Sequence, residues 1–102
     1  MALAQATLTT GYVTQYTSSG DSAITTIHVC NTSGGAIEFD LCIVPSGGSA
    51  SDSTIVYKTV SVAATDTFVI DTEKLVLGNG DFIAAKDDTG SVTVLTISYV
   101  SI

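Results

Sequence analysis

Apolar and polar residues alternate through the middle of this chain, from Ile24 to Val44, and this period of two constrains the fold more than any other feature. Between Ile37 and Ile43 every odd position is apolar, and the odd positions of the preceding segment, 24–30, are apolar at 27 and 29. Because successive side chains of a strand point to opposite sheet faces, each segment is predicted to be a strand that buries one face.

The two segments are predicted to pair as a β-hairpin. Both odd sets can face the core only in a register that pairs odd with odd residues, and the best such register places Val29 opposite Phe39 and Ile27 opposite Leu41. Residues 32–36, which contain a Ser-Gly-Gly turn, then form the loop.

The same register predicts the polar face of the hairpin. His28 would lie opposite Asp40, and Cys30 opposite Glu38. These side chains are of the types that bind zinc, but zinc needs about four ligands that converge on one point. Here the side chains would be spread along the paired strands, so we predict no metal site. Cys30 and Cys42 would lie about 13 Å apart at strand rise, too far for a disulfide, so both are predicted to be free thiols.

Turn-rich segments divide the rest of the chain into similar short strands. We expect strands at residues 3–9, 11–17, 55–62, 67–70, 82–86 and 91–102, and residues 75–77 form a short apolar run. Residues 71–75 are compatible with a brief helical turn or a bend. About eight strands without an amphipathic helix predict an all-β fold, a single antiparallel β-sandwich domain over residues 1–102, with jelly-roll connectivity as one form.

Charge and composition limit the partners of the protein. Ten acidic residues against three lysines and no arginine give a formal net charge of −7, which excludes nucleic acid as a partner because phosphate binding depends on basic residues. The charged fraction is 13%, against about a quarter in ordinary soluble domains, so part of the uncharged surface is predicted to contact another chain. The sequence has no secretory signal and no apolar run of membrane-span length, which predicts a cytosolic protein, or one in a particle assembled there, with no membrane partner.

Motifs that would carry chemistry are weak. The scattered aspartates do not form a calcium loop, and the Gly78–Asp81 turn lacks the lysine and helix of a phosphate loop. No nucleophile, base and orienting group converge, so we predict no enzyme activity and no cofactor. Asn31 matches the N-glycosylation pattern, which has no consequence without secretion.

Contacts with a ligand or with another chain are expected at two places. The tyrosines at 12, 16, 57 and 99 are compatible with a sugar-binding face, although core and interface roles are commoner for aromatic residues. The small polar loop that starts at the single proline is free to adapt to a neighbouring chain, as are the termini. The candidate interface residues are Pro45, Ser46, Gly47, Gly48, Ser49, Tyr12 and Tyr16.

The run 23–85 and the terminal strand, which are most of the chain, resemble small virion proteins of tailed bacteriophages, notably of marine and cyanobacterial phages, and four segments carry the resemblance. They are TTIHVCNTSG at 25–34, IVPSGG at 43–48, DTFVIDTEKLVLGNGD at 66–81 and VLTISYVSI at 94–102. The resemblance implies a β-sandwich present in many copies on a phage particle as a symmetric oligomer, a trimer by analogy with other small virion proteins. It implies a capsid decoration or cement protein bound to the major capsid protein. A collar, tail or fibre-associated module, or a module that binds host glycans, is the alternative.

Overall fold

The fold is all-β, as the sequence predicts. A computed structural model describes residues 2–70 and 75–102. Its strands are β1 (Ala2–Thr7), β2 (Val13–Thr17), β3 (Ser22–Asn31), β4 (Ile37–Val44), β5 (Ile55–Val62), β6 (Thr67–Ile70), β7 (Leu75–Leu77), β8 (Phe82–Asp87) and β9 (Thr93–Ser101). The described ranges contain no helix that could cross a membrane. Residues 71–74, where a helical turn or a bend was expected, lie outside the described part of the chain.

The strands form two antiparallel sheets that pack against each other as a β-sandwich. Sheet A has the order β1-β9-β3-β6, with β7 also paired to β3, and sheet B has the order β2-β8-β4-β5. The pairs are nested along the chain: β1 with β9, β2 with β8, β3 with β6 and β7, and β4 with β5. A long hairpin rolled over itself has this order, so the connectivity is that of a jelly roll.

The predicted hairpin between β3 and β4 is wrong, although both strands exist. Strand β3 lies in sheet A and β4 in sheet B. Val29 pairs with Leu95 and Phe68, and Phe39 pairs with Val60 and Asp87. A period of two specifies which face of a strand is buried but not which strand lies beside it, and residues 32–36 cross from one sheet to the other.

The odd-numbered apolar residues of β3 and β4 nevertheless share one core, because they point toward each other from opposite sheets. Phe39 is 1% exposed, and its ring lies 5.8 Å from that of Phe68 in the facing sheet. The buried cluster is contributed by both sheets and includes Leu8, Ile24, Ile27, Val29, Ile37, Phe39, Leu41, Val62, Ile70, Leu77, Ile83, Ala85, Leu95 and Ile97.

Asn31 holds together one end of the sandwich. It is 0% exposed, and its Nδ2 donates to the carbonyl oxygens of Gly35, Val62 and Ala63 at 2.8, 3.1 and 3.1 Å. Its Oδ1 accepts the backbone N–H of Ser33 at 2.9 Å. The side chain therefore replaces missing backbone hydrogen bonds where β3 ends, and its amide is inaccessible to glycosylation in the folded protein.

Candidate interaction surface

The predicted interface loop is exposed but is held in place. All five residues from Pro45 to Ser49 are exposed. Asp81 tethers the loop, because its Oδ1 accepts the Ser46 N–H at 2.9 Å while its Oδ2 accepts the Gly78 N–H at 2.8 Å. The Gly48 N–H donates to the Pro45 carbonyl at 2.9 Å, which closes a tight turn. The loop thus presents a fixed, uncharged surface instead of a freely adapting one.

Gly80 allows this loop and the Gly78–Asp81 turn to approach closely. Its φ is +88°, a left-handed value that favours glycine, and a Cβ there would lie 2.6 Å from the Ser46 hydroxyl. The turn also bonds to the β2–β3 loop, since the Gly80 N–H donates to the Ser18 carbonyl and the Asn79 side chain accepts the Gly20 N–H. Three loops therefore form one connected end of the sandwich.

We expect Asp81→Ala to loosen the loop and to lower the free energy of unfolding by about 2–4 kcal/mol, because two hydrogen bonds to a carboxylate are lost. Urea unfolding measures the stability, and limited proteolysis with mass mapping measures the loop. Asp52→Ala is the control, because its ion pair with Lys58 is exposed and should contribute under about 1 kcal/mol. Unchanged protease resistance of residues 45–49 in the Asp81 variant would show that Asp81 does not tether them.

The second half of the loop between β4 and β5 covers Cys42. The Cys42 side chain is 0% exposed, and its Sγ donates to the Ser51 carbonyl at 3.5 Å. The Thr54 hydroxyl holds this segment by bonding to the carbonyl oxygens of Ser49 and Ser51 at 3.1 and 3.2 Å. Cys42 is a free thiol, as predicted, and it is shielded from solvent.

Tyr12 lies beside this covered thiol on the outer side of sheet B. The Lys86 ammonium sits 4.5 Å from the centre of its ring, a cation–π contact, and also pairs with Asp40 at 3.8 Å. Burial, then the hydrogen bond and charge of Cys42, then the charges of Asp40 and Asp52 raise the pKa of Tyr12 well above its ordinary value. Tyr12 is therefore a neutral hydrogen-bonding group throughout the physiological range.

Titration of Tyr12 should make the folded state less stable in alkali. The folded-state pKa of Tyr12 is raised above the ordinary 10.0. Its contribution to the free energy of unfolding is therefore complete below pH 10 and is lost as the pH rises further. We expect stability above pH 10 to fall more steeply in the wild-type protein than in Tyr12→Phe. Urea unfolding at a series of alkaline pH values measures both slopes, and equal slopes would contradict the assignment.

The other three tyrosines lie elsewhere, so the four do not form one sugar-binding platform. Tyr16 packs on Tyr99 of the facing sheet with ring centres 4.2 Å apart, and its hydroxyl bonds to the Ser22 hydroxyl at 2.7 Å. Tyr57 contacts Phe68 edge-on at 6.4 Å. Tyr16, Tyr57 and Tyr99 therefore extend the core, whereas Tyr12 lies on the outer side of sheet B beside Cys42 and Lys86.

An acidic pocket of about 280 Å³ opens next to Asp40 and Lys86. Three of its four carboxylates accept backbone N–H groups: Asp40 that of Thr59 at 2.6 Å, Asp87 that of Gly90 at 2.6 Å, and Asp88 that of Glu38 at 3.1 Å. Thr59 has a φ of +50° where the β4–β5 register shifts, so the Asp40 bond fixes a bulge. The pocket is lined by Thr10, Glu38, Asp40, Thr59, Lys86, Asp87 and Asp88. The hydrogen bonds from backbone N–H groups to these carboxylates indicate that the pocket residues have a structural role.

The predicted pairing of His28 with Asp40, and of Cys30 with Glu38, is wrong. His28 lies in sheet A opposite Thr96 and Val69, whereas Asp40 lies in sheet B opposite Lys86. Cys30 is a free, half-buried thiol in sheet A. Within residues 2–70 and 75–102, no group of three or more His, Cys, Asp or Glu side chains is placed to hold a metal.

Comparison with known proteins identifies a distant structural likeness. The chain matches no protein-family model and no curated protein. Among solved structures it is similar to a chain from a study of Bacillus endospore appendages, described as a novel family of disulfide-linked pili. That similarity has 15% sequence identity and a TM-score of 0.40, and covers 99% of this chain and 84% of the other.

Proposed function

We propose that the protein is a non-enzymatic structural component of a tailed-phage virion, a capsid decoration or cement protein that binds the head lattice after synthesis in the host cytoplasm. One observation supports this most directly. Three of the four segments that carry the resemblance, 25–34, 66–81 and 94–102, are far apart in sequence, but their strands lie in one sheet, where β3 pairs with β6, β7 and β9. The resemblance therefore includes a set of neighbouring strands in sheet A, and the run 23–85 extends it to β4, β5 and most of β8 in sheet B.

The fourth resembling segment, 43–48, supplies the candidate contact with the head lattice. It ends in the exposed part of the loop from Pro45 to Ser49, which carries no charge and is tethered by Asp81. A rigid loop loses less conformational entropy on binding than a mobile one, which favours tight docking. We assign this loop as the contact with the major capsid protein or another virion protein, with Tyr12 as a second contact on the outer side of sheet B.

Localisation in the virion tests the assignment. Density for the protein on the head of a phage particle supports decoration, whereas intact heads and a missing tail feature in particles without it would assign it to the collar or tail. Ser49→Trp should block incorporation because it adds bulk to the exposed loop. Ser61→Trp, on an exposed position of β5, is the control and should incorporate normally. Equal incorporation of both variants would remove the loop from the proposal.

A further inference from the structure

We infer that the outer face of sheet A is a self-association surface, against which a second copy of this chain packs face to face. The strand register defines this face. Thr96 of β9 and His28 of β3 lie side by side at its centre, with Gln5 of β1 and Val69 of β6 on either side in the same row. Leu3 and Val76 lie on its two opposite edges.

The described strands of sheet A contain no Asp, Glu, Lys or Arg, whereas the strands of sheet B carry Glu38, Asp40, Lys58, Lys86 and Asp87. The charged segment 71–74, which joins β6 to β7, lies outside the described residues. With a net charge of −7, two copies repel through most orientations, but contact through the strands of this face brings no carboxylates together.

Apolar side chains are concentrated at the edges of the same face. Leu3 is 69% exposed, Val76 is 66% exposed and Val69 is 44% exposed. They are three of the six large hydrophobic residues that are exposed among the described residues. Their burial would remove apolar surface from water, which is the main driving force for association of uncharged surfaces.

The positions of these three residues are self-complementary. Leu3 shares a row with Ser98 and Thr26, and this row lies between the row of Val69 and the row of Val76. A twofold axis parallel to the strands places the β1 edge of one copy over the β6–β7 edge of the other. Each Leu3 then lies against Val69 and Val76 of the second copy, and the contact occurs twice.

The size of the face determines how strong the proposed dimer is expected to be. Four strands about 4.8 Å apart and about eight residues long present roughly 500 Å² per copy, or about 1,000 Å² in total. That is close to the lower limit for a specific interface, so the dimer is weak in dilute solution and strengthened where copies are concentrated on one particle. A twofold contact gives a dimer, and the trimer implied by the resemblance would need a further surface.

A charge-pair experiment tests the geometry. Leu3→Lys and Val76→Glu each change a side chain that is mostly exposed, so folding is preserved, and circular dichroism verifies this. Either variant alone damages both symmetric contacts, and we expect its dimer dissociation constant, measured by analytical ultracentrifugation, to rise at least about tenfold. Mixing the two variants should restore the dimer, because one contact becomes a lysine–glutamate pair and the other keeps the original residues.

The control is Val56→Glu, which adds the same charge at a 51% exposed position on sheet B and should not change association. A wild-type protein that stays monomeric up to millimolar concentration would overturn the inference, as would a dimer that both variants leave intact or that mixing fails to restore. Binding of this face to another virion protein in place of a second copy would also overturn it. Incorporation into the virion is measured separately, so the virion assignment stands or fails independently of this result.

Discussion

Asn31→Asp is expected to lower the free energy of unfolding by about 4 kcal/mol or more at neutral pH, a large part of the stability of a domain of this size. The new carboxylate would be fully buried and would face the three carbonyl oxygens to which the Asn31 amide now donates. A donor is thereby replaced by a charged acceptor with no compensating cation among these partners. Urea unfolding followed by circular dichroism measures the loss.

The loss of stability in Asn31→Asp should increase as the pH rises. Burial and the facing carbonyl groups raise the folded-state pKa of the new aspartate above its unfolded value of about 3.9, so the protonated side chain again supplies one donor at low pH. The deficit relative to the wild-type protein should therefore be smallest below about pH 4 and grow as the pH rises. A deficit that is independent of pH would contradict the assigned bonding.

Asn79→Asp provides a matched control, since these are the two asparagines of the chain. Asn79 is exposed and its Oδ1 accepts the Gly20 N–H at 2.8 Å, a bond that aspartate retains. We expect a change of less than about 0.5 kcal/mol. If both variants lost the same stability, the effect would come from added negative charge and not from the buried network.

Phe39→Ala is the other large expected effect, with a loss of about 3–5 kcal/mol. Phe39 is 1% exposed at the centre of β4, and its ring meets Phe68 from the opposite sheet, so truncation leaves a cavity between the two sheets. Phe39→Leu keeps most of the volume and should cost about 1.5 kcal/mol or less. Denaturant unfolding of both variants checks the difference, and equal losses would mean that the sheets close over the cavity.

The sequence predicts the strands well because local patterns determine them. The odd apolar set from Ile37 to Ile43 correctly marks the buried face of β4, and the turn residues correctly divide the chain. The predicted pairing of β3 with β4 was wrong because the pattern allows two arrangements. The odd-numbered apolar residues of the two strands are buried equally well when the strands share a sheet and when they face each other across a core. A jelly roll uses the second arrangement, and its partners, such as β1 and β9, are too far apart in sequence for a local pattern to identify.

The candidate surface was predictable only in part. The loop from Pro45 to Ser49 is exposed as composition suggests, but its tether was missed, since Asp81 follows a turn where an aspartate has an ordinary local role. The contact of Tyr12 with Lys86 was also missed, because those residues are brought together only by the pairing of β2 with β8. The uncharged face of sheet A depends equally on strand order, although a count of charges per strand would have been a usable signal.

The place of β9 in the sheet has a consequence for synthesis of the protein. Strand β9 lies between β1 and β3, so β1 has no neighbour in its sheet until β9 has been translated. Such late closure is typical of slowly folding proteins whose contacts are distant in sequence, and it leaves nascent strand edges exposed to aggregation. Because the proposed self-association face needs β1, β9 and β3 together, a chain cut short before β9 would be unable to join an assembly, and only copies that contain β9 would be recruited.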